Sequence, residues 1–276
     1  DALADPFCHH RLDLDLALLG ALDPDQLAVL DAAKYDPSII KRDRAQNVFA
    51  QSFLQFAGRM ATEARVTKGR ALIAKNKTTF DAVQQQYGVP APVITAFWAL
   101  ESDFGSGMGK RPVMRSLATL AWDCRRPEKF RPQIIPALKL MQSGDLSPEE
   151  MQGAWAGEIG QTQFMAFDYN ESAVDFDGDG RIDLWQSPSD IIGSIANYFK
   201  AYGWKAGESG LARQDGPQSI LDATFKAMVV ELENGQEPST FYPVDDNFFV
   251  ITKYNNSYYY AAAVLELGNA VQQADR

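Results

Sequence analysis

Three aspartates at alternating positions form the most chemically distinctive stretch of the 276-residue chain. The loop reads Asp175-Phe176-Asp177-Gly178-Asp179-Gly180-Arg181-Ile182-Asp183. Side-chain oxygens at positions one, three, five and nine, with glycine at position six, are typical of the start of an EF-hand calcium loop. Position twelve, where a bidentate Glu normally closes the loop, is Gln186, so Asp190 would have to close it. The pattern predicts either one structural calcium clip or a loop that no longer binds the ion.

Glu101 is a second candidate for chemistry, because it ends a predicted helix over 92–101 that is apolar on nearly every face. Burial and the partial negative charge of a helix C-terminus both favour a protonated carboxyl. A carboxylic acid that is still protonated near neutral pH can act as a general acid. The helix alone fits a Glu that simply reaches water better than a catalytic acid, so the surrounding residues have to decide.

The elements that must position these carboxyls are mainly helical. Apolar residues at helical spacing, with their caps, predict helices over 24–32 with Asp23 as N-cap, 44–60, 68–87 ending at Gly88, 116–121, 134–141, 189–202 and 258–271. From residue 207 onward the sequence contains Gly, Pro and two short β-rich runs, 224–232 and 248–252. These runs predict a small β insertion within an otherwise α-helical chain.

Composition excludes two classes of function. The formal net charge is −10, and no run of Lys or Arg is longer than two, so a nucleic-acid-binding surface is not expected. No apolar run approaches the roughly 20 residues of a membrane span.

The first ten residues lack the basic start and apolar stretch of a signal peptide, as in a processed or a cytoplasmic chain. Cys8 and Cys124, the only cysteines, could form one disulfide, and their number leaves this open.

Five ordered motifs resemble the membrane-bound lytic transglycosylase B family, which belongs to the lysozyme-like lytic transglycosylases. They occupy residues 99–105, 157–165, 175–185, 195–204 and 253–261. The resemblance extends from about residue 22 to the end of the chain. It implies a mainly α (α+β) fold with a lysozyme-like catalytic core, an EF-hand-like loop, an α-helical domain and a small β subdomain.

The resemblance also implies a division into domains. We expect an α-helical domain over 1–80, joined by the C-terminal helix 253–276. A lysozyme-like catalytic core would follow over 81–205 and contain the EF-hand-like loop 175–190. A small β subdomain would cover 206–252.

The implied activity is cleavage of the MurNAc–GlcNAc β-1,4 bond of peptidoglycan with formation of 1,6-anhydromuramic acid ends. Glu101 matches the family's single catalytic carboxyl. It would protonate the glycosidic oxygen and then act as base on the muramic C6 hydroxyl, which attacks C1. Ordinary glycosidases differ, because they use two carboxylates at set separations.

Further site residues carry over from the family motifs one by one. Substrate binding is predicted for Arg125, Arg126, Gln163, Phe164, Tyr198, Tyr254, Asn255 and Tyr260. Structural Ca²⁺ is predicted at Asp175, Asp177, Asp179, the Arg181 carbonyl and Asp190. The paired arginines would receive lactyl or peptide carboxylates of the glycan strand, since guanidinium forks match carboxylates.

The predicted setting is the periplasm or cell envelope, with a precursor that could be anchored to the outer membrane. Peptidoglycan glycan strands are the predicted partner, cell-wall synthesis enzymes are candidate protein partners, and the oligomeric state is not predicted. Glu158 departs from the family pattern, which has a small apolar residue there, and Ala154 replaces a serine of some members. Two alternatives stay open: a hydrolytic muramidase with Glu158 or Asp103 as second carboxylate, and a non-catalytic calcium- or glycan-binding envelope protein.

Overall fold

The structure is a computed structural model that describes residues 23–46, 51–123, 125–143, 146–208, 210 and 228–273. These residues form the helices α1 (Pro24–Ala32), α2 (Pro37–Arg44), α3 (Phe53–Met60), α4 (Glu63–Lys75), α5 (Lys77–Tyr87), α6 (Ala91–Ser102), α7 (Val113–Trp122), α8 (Pro127–Gln142), α9 (Ala166–Ser172), α10 (Pro188–Ala201), α11 (Asp246–Tyr254) and α12 (Tyr258–Gln273). The strands are β1 (Arg111–Pro112), β2 (Gln152–Gly153), β3 (Met228–Asn234) and β4 (Glu237–Val244). β1 pairs with β2 and β3 with β4, both antiparallel. The mainly α fold with small sheets confirms the predicted class.

The chain divides into two compact units that interleave along the sequence. Unit 1 consists of Asp1–Val48, Gly105–Glu171 and Gly180–Trp185, and unit 2 of Phe49–Phe104, Ser172–Asp179 and Gln186–Arg276. The predicted division into the consecutive segments 1–80, 81–205 and 206–252 stays a prediction. Cys8 and Cys124 lie outside the described residues. Within the described ranges, we find no helix that combines the length and the apolar character needed to cross a membrane.

Unit 2 is built around α6, which contacts α4, α5, α10 and α12. Its buried side chains include Ile94, Phe97 and Trp98, as the all-apolar pattern predicted. Burying a side chain of this kind stabilises a fold by about 1.5–3 kcal/mol. α12 can lie close to α6 because Gly268 brings it against the carbonyl of Pro92. The end of α6, where Glu101 lies, is therefore held by helices on several sides.

Unit 1 is organised by the packing of α7 against α8, with α1 and α2 lying against them. The Gln26 side chain of α1 is buried and donates to the Leu138 carbonyl of α8 at 3.0 Å. α8 is longer than the predicted helix 134–141. Pro132 and Pro136 lie inside it, and internal prolines argue against a continuous helix when only the sequence is read.

Two of the predicted helices are wrong in their continuity. The prediction over 44–60 fails because α2 ends at Arg44 and α3 begins at Phe53, with the Ser52 hydroxyl accepting from the N–H of Gln55 as an N-cap. The prediction over 68–87 covers α4 and α5, which are separated at Asn76. There the side chain donates to the Leu72 carbonyl at 2.9 Å. Ser and Asn side chains compete with helical backbone bonds, which favours caps and breaks.

One predicted strand is also wrong. The run 248–252 belongs to α11, because Asp245 accepts from the N–H of Asn247 at 2.9 Å and starts a helix. β3 instead pairs with β4 across a turn at Gly235, where φ is 69°. β3 overlaps the predicted run 224–232, of which residues 224–227 lie outside the described part of the chain. A short apolar run fits a strand or a buried helix equally well, and here the cap decides.

Candidate active site

Glu101 lies in the last turn of α6 and is partly buried. Both of its carboxyl oxygens accept hydrogen bonds from tyrosines. The Tyr254 hydroxyl donates to Oε2 at 2.9 Å, and the Tyr260 hydroxyl donates to Oε1. Tyr254 ends α11 and Tyr260 lies in the first turn of α12, so the short connection between these helices brings both donors to one carboxyl. Glu101, Tyr254 and Tyr260, all three from predicted positions, are thus brought together within unit 2.

Tyr260 is a neutral donor at this site. Burial raises the pKa of the Tyr260 hydroxyl well above its ordinary value, and the neighbouring Glu101 carboxyl raises it further. The hydroxyl therefore keeps its proton throughout the physiological range. It can fix the orientation of the carboxyl without adding a second charge to the site.

An aromatic cluster supports these donors from behind. The Tyr254 ring lies edge-to-face against Phe97 at 4.6 Å and against Tyr198 at 5.6 Å, measured between ring centroids. Its ring stacks with that of Tyr260 at 6.3 Å. Tyr198 is only 2% exposed, so its burial favours a supporting role over that of an open sugar platform. Asn255, immediately after α11, is exposed.

The backbone after Glu101 is strained and held by two cations. Asp103 and Phe104 have positive φ angles of 49° and 55°, a conformation that costs non-glycine residues about 1–3 kcal/mol each. Arg65 of α4 donates to the Asp103 carboxylate at 3.2 Å, and Lys68 donates to the Asp103 carbonyl at 3.3 Å. These two cations were not predicted as site residues. Only their proximity in the fold identifies them, because an Arg and a Lys three residues apart on a helix are common.

The second predicted motif lies in unit 1, where it is largely interior. Gln163 has a positive φ of 54° and its side-chain amide donates to the Gly160 carbonyl at 2.8 Å. Phe164 is fully buried, and its carbonyl accepts from the N–H of Ile159 at 2.8 Å. The structure gives Phe164 a packing role, and substrate contact by Gln163 and Phe164 stays a prediction.

Arg125 and Arg126, here called the Arg pair, lie immediately before α8 in unit 1. Both guanidinium groups donate to the buried carboxylate of Asp43 in α2. The side chains of Arg125 and Arg126 are 38% and 26% exposed. Sequence reasoning missed Asp43, since an acid within the basic run 41–44 carries no distinctive spacing.

Glu158 is a partly buried carboxyl of unit 1. Burial raises the pKa of Glu158, against the opposing effects of two backbone N–H donors and of the charges of Lys129 and Arg42. One of these donors is the N–H of Ala156, at 3.1 Å from Oε2. The other candidate for a second carboxylate, Asp103, is 51% exposed at its side chain and pairs with Arg65.

Three aspartates of unit 2 converge on one point. One carboxylate oxygen from each of Asp175, Asp177 and Asp190, here called the acidic triad, lies within 4.8 Å of the others. Asp190 is 1% exposed and accepts from the N–H of Phe176 at 2.8 Å. Asp179 is not in this group; its N–H donates to Asp175 at 3.2 Å. The Arg181 side chain forms an ion pair with Glu150 in unit 1 at 2.7 Å. Calcium ligation by Asp179 and by the Arg181 carbonyl stays a prediction.

The transglycosylase SLT domain matches residues 20–269. Membrane-bound lytic murein transglycosylase B of Escherichia coli (strain K12) is 33% identical, over 81% of this chain and 68% of its own length. The chain therefore belongs to the transglycosylase SLT domain family. Its class is that of the peptidoglycan lytic transglycosylases, as the five motifs predicted.

Solved structures agree with this assignment. SltB3 from Pseudomonas aeruginosa in complex with NAG-NAM-pentapeptide has a TM-score of 0.81 and 34% identity, covering 95% of this chain and 78% of its own. SltB3 has also been solved with NAG-anhNAM-pentapeptide. Slt35 from Escherichia coli in complex with calcium has a TM-score of 0.79 and 30% identity, covering 98% of this chain and 93% of its own. These likenesses confirm the predicted lysozyme-like fold.

Proposed function

We propose that Glu101 is the single general acid and base of a lytic transglycosylase that cleaves the MurNAc–GlcNAc β-1,4 bond of peptidoglycan. The main support is the hydrogen bonding of the Glu101 carboxyl, because each of its two oxygens accepts from one tyrosine hydroxyl. A carboxyl that must give a proton and later take one needs a fixed orientation in both steps. Two donors from helices packed around α6 supply that orientation.

The reaction balances with one carboxyl and no water. The Glu101 carboxylic acid gives its proton to the glycosidic oxygen as the bond to muramic C1 breaks, which frees the GlcNAc hydroxyl. The carboxylate then takes the proton of the muramic C6 hydroxyl as that oxygen bonds to C1. The product end is a 1,6-anhydro ring, and Glu101 is protonated again. One residue therefore serves as acid and then as base.

The hydroxyls on Glu101 support the second step in particular. A carboxyl that accepts hydrogen bonds is favoured in its ionised form, which is the form that acts as base. The position of Glu101 at a helix C-terminus works in the opposite direction and favours the protonated form. The surroundings of Glu101 thus contain one influence that favours each protonation state.

Substrate contacts follow from the family motifs. In unit 2 the proposed sugar contacts are Tyr254, which donates to the Glu101 carboxyl, and Asn255, the exposed residue that follows it. In unit 1 the Arg pair offers partly exposed guanidinium groups to the lactyl or peptide carboxylates of a glycan strand. Gln163, whose amide donates to the Gly160 carbonyl, is a further proposed contact of unit 1.

We also propose that the acidic triad holds a structural Ca²⁺. Oxygen ligands suit this hard cation, and three carboxylates that approach one another this closely repel without it. The burial of Asp190 strengthens the fit, because a buried carboxylate is stabilised by a cation. The ion would order the loop and would take no part in the chemistry. The calcium complex of Slt35 supports this assignment.

The two alternative functions are less well supported. A muramidase needs a second carboxylate, but Asp103 is engaged by Arg65, and burial favours the uncharged form of Glu158. A purely glycan-binding protein would not need a carboxyl held at both oxygens. A cell-envelope location, with peptidoglycan strands as the partner in the periplasm, follows from the substrate.

The test is mass spectrometry of peptidoglycan strands digested by the protein. A lytic transglycosylase releases muramic ends that are lighter by one water than the reducing ends of a hydrolase. Anhydro ends are expected. Reducing muramic ends would show that the protein is a hydrolytic muramidase, and intact strands would show that it binds glycan without cleaving it.

A further inference from the structure

Asp43 is the only acidic side chain of unit 1 that is fully buried among the described residues, at 1% exposure. It lies in the last turn of α2, within the basic run Lys41-Arg42-Asp43-Arg44. A buried carboxylate is costly unless it is paired and hydrogen-bonded. Its partners therefore indicate why the chain keeps a charge at this position.

Asp43 joins the two members of the Arg pair. Arg126 donates through Nη2 to one carboxylate oxygen, and Arg125 donates through Nη1 to the other. Arg125 also donates to the Asp43 carbonyl at 2.7 Å, which satisfies an acceptor near the end of α2. A reciprocal ion pair between Arg44 and Asp123, at 3.3 Å, holds the same two chain segments together.

The Arg pair has charge and donors left to bind another anion while it is paired with Asp43. Two guanidinium charges and one carboxylate leave one positive charge, in a chain whose net charge is −10. Each guanidinium has five N–H donors, of which Asp43 uses only some. Arg126 Nε is buried and has no hydrogen-bond partner among the described residues. The Arg126 guanidinium is placed over the Phe130 ring, 5.3 Å from its centroid, which limits the directions in which it can donate.

Adjacent guanidinium groups repel each other, so they need a shared anion to remain side by side. Because each Asp43 oxygen receives a different arginine, the carboxylate sets the spacing between the two groups. A second carboxylate approaching the exposed side then meets donors that are already oriented. Preorganisation of this kind is what turns two surface cations into a selective site.

We propose that Asp43 is a positioning residue that holds the Arg pair ready for a carboxylate of the substrate strand, and so sets the preference of the enzyme for charged strands. The inference rests on the proposed function, in which the Arg pair is a substrate-binding element. Asp43 acts through the two arginines and does not itself touch the strand.

The test compares two substrates that differ only in charge. Peptidoglycan strands are used as isolated and after carbodiimide-mediated coupling of ammonia, which converts each carboxylate into a neutral amide of similar size. Wild type, Asp43→Asn and Asp31→Asn are assayed on both. Asp31 is an exposed residue of α1 in the same unit, so its variant is matched in chemistry and charge change.

We expect the wild type to show a KM about tenfold lower on charged strands, the scale of one charge-assisted hydrogen bond. In Asp43→Asn this KM ratio should fall to about twofold or less, while kcat on amidated strands stays near the wild-type value. Asp31→Asn should behave as wild type. A purely structural ion cluster would instead lower activity by one factor on both substrates.

Three results would overturn the inference. They are a wild type with no preference, an Asp43→Asn variant that keeps the full preference, and an equal loss on both substrates with a lowered melting temperature. If Asp43→Asn does not fold at the assay temperature, the Glu101→Gln protein is titrated with N-acetylmuramoyl-tripeptide. Arg125 and Arg126 Nε–H resonances should shift, and unshifted resonances would sink the proposal. This titration needs no turnover, so it is independent of a failure of the proposed enzymatic function.

Discussion

Two regions of unit 2 place carboxylates at opposite ends of helices, and the surroundings give them opposite chemistry. Glu101 stands at the C-terminal end of α6, where the helix dipole disfavours negative charge and two neutral hydroxyls orient the group. Asp190 stands in the first turn of α10, where the dipole favours negative charge, and two further carboxylates converge on it. The first arrangement suits a group that exchanges a proton, and the second suits groups that stay charged around a cation.

In the roles proposed for these two carboxyls, the type of partner matters more than burial. Asp190 is fully buried and accepts from the backbone N–H of Phe176, whereas Glu101 is only partly buried and accepts from two tyrosine hydroxyls. Every hydrogen-bond donor favours the charged form, and at Asp190 the helix N-terminus and a bound cation would add to this effect. At Glu101 the helix C-terminus opposes it.

The largest effect is expected for Glu101→Gln. The amide keeps the size of the side chain but can neither give nor take the proton, so kcat should fall about 10²–10⁴-fold. The measurement is the release of anhydro ends, together with a melting curve that should stay near the wild-type one. The matched control is Glu231→Gln, an exposed position of β3, which should keep full activity. More than about a tenth of wild-type activity in Glu101→Gln would remove Glu101 from the mechanism.

Removing one hydroxyl from the site should have the next largest effect. Tyr260→Phe removes the hydroxyl that donates to Oε1 of Glu101, and a hydrogen bond to a charged group contributes about 1.5–3 kcal/mol. We expect kcat to fall about 10- to 100-fold with little change in KM. Tyr259→Phe is the control, because that hydroxyl donates to the Glu233 carbonyl at 2.6 Å. An unchanged kcat in Tyr260→Phe would mean that the tyrosine pair does not orient the catalyst.

The sequence alone could predict the parts of these sites that depend on local pattern. The buried helix before Glu101 and the calcium-type spacing from Asp175 are both visible as strings of residues. So are the caps at Asp23 and Gly88, which the structure confirms. Each of these depends on residues that are close along the chain.

Contacts between distant residues could not be predicted in this way. Arg65 and Asp103 are 38 residues apart, and Asp43 and Arg125 are 82 apart. Only the folded chain brings them together, and neither Arg nor Asp is rare enough in sequence to mark a site. The tyrosines on Glu101 were found through the family resemblance, since spacing alone gives no reason to connect residues 101 and 260.

Calcium should shift the melting temperature upward and chelation should shift it downward. A ligand that binds only the folded state stabilises it by about 2.7 kcal/mol at a hundredfold excess over its Kd. Asp190→Asn should abolish this shift, because the amide keeps an acceptor for the N–H of Phe176 but loses the charge. Activity of the folded protein at low temperature should remain.

Asp179→Asn sharpens the calcium experiment. If the acidic triad alone holds the ion, this variant should keep most of the melting shift, and if Asp179 is also a ligand the shift should shrink. A melting temperature that is identical in millimolar calcium and in chelator would mean that the loop binds no ion. Loss of activity on chelation without unfolding would give the ion a catalytic role and would erase the contrast between the two regions.

The smallest effect on activity is expected for Glu158, a carboxyl that has neither a tyrosine pair nor an acidic triad. Its pKa is raised by burial above the ordinary value of 4.5, so the folded state holds the proton more tightly than the unfolded state. The sign follows from this difference: its contribution to stability is fully present below the unfolded pKa and is lost as the pH rises through the folded one. Glu158→Gln removes this titration. The melting temperature of the variant, relative to that of the wild type, should therefore increase as the pH rises from about 4 to 7. Activity should change less than about threefold, because one carboxyl suffices for the reaction. Near-complete inactivation with an unchanged melting curve would identify Glu158 as a second catalytic carboxylate. It would then support the alternative that the protein is a hydrolytic muramidase.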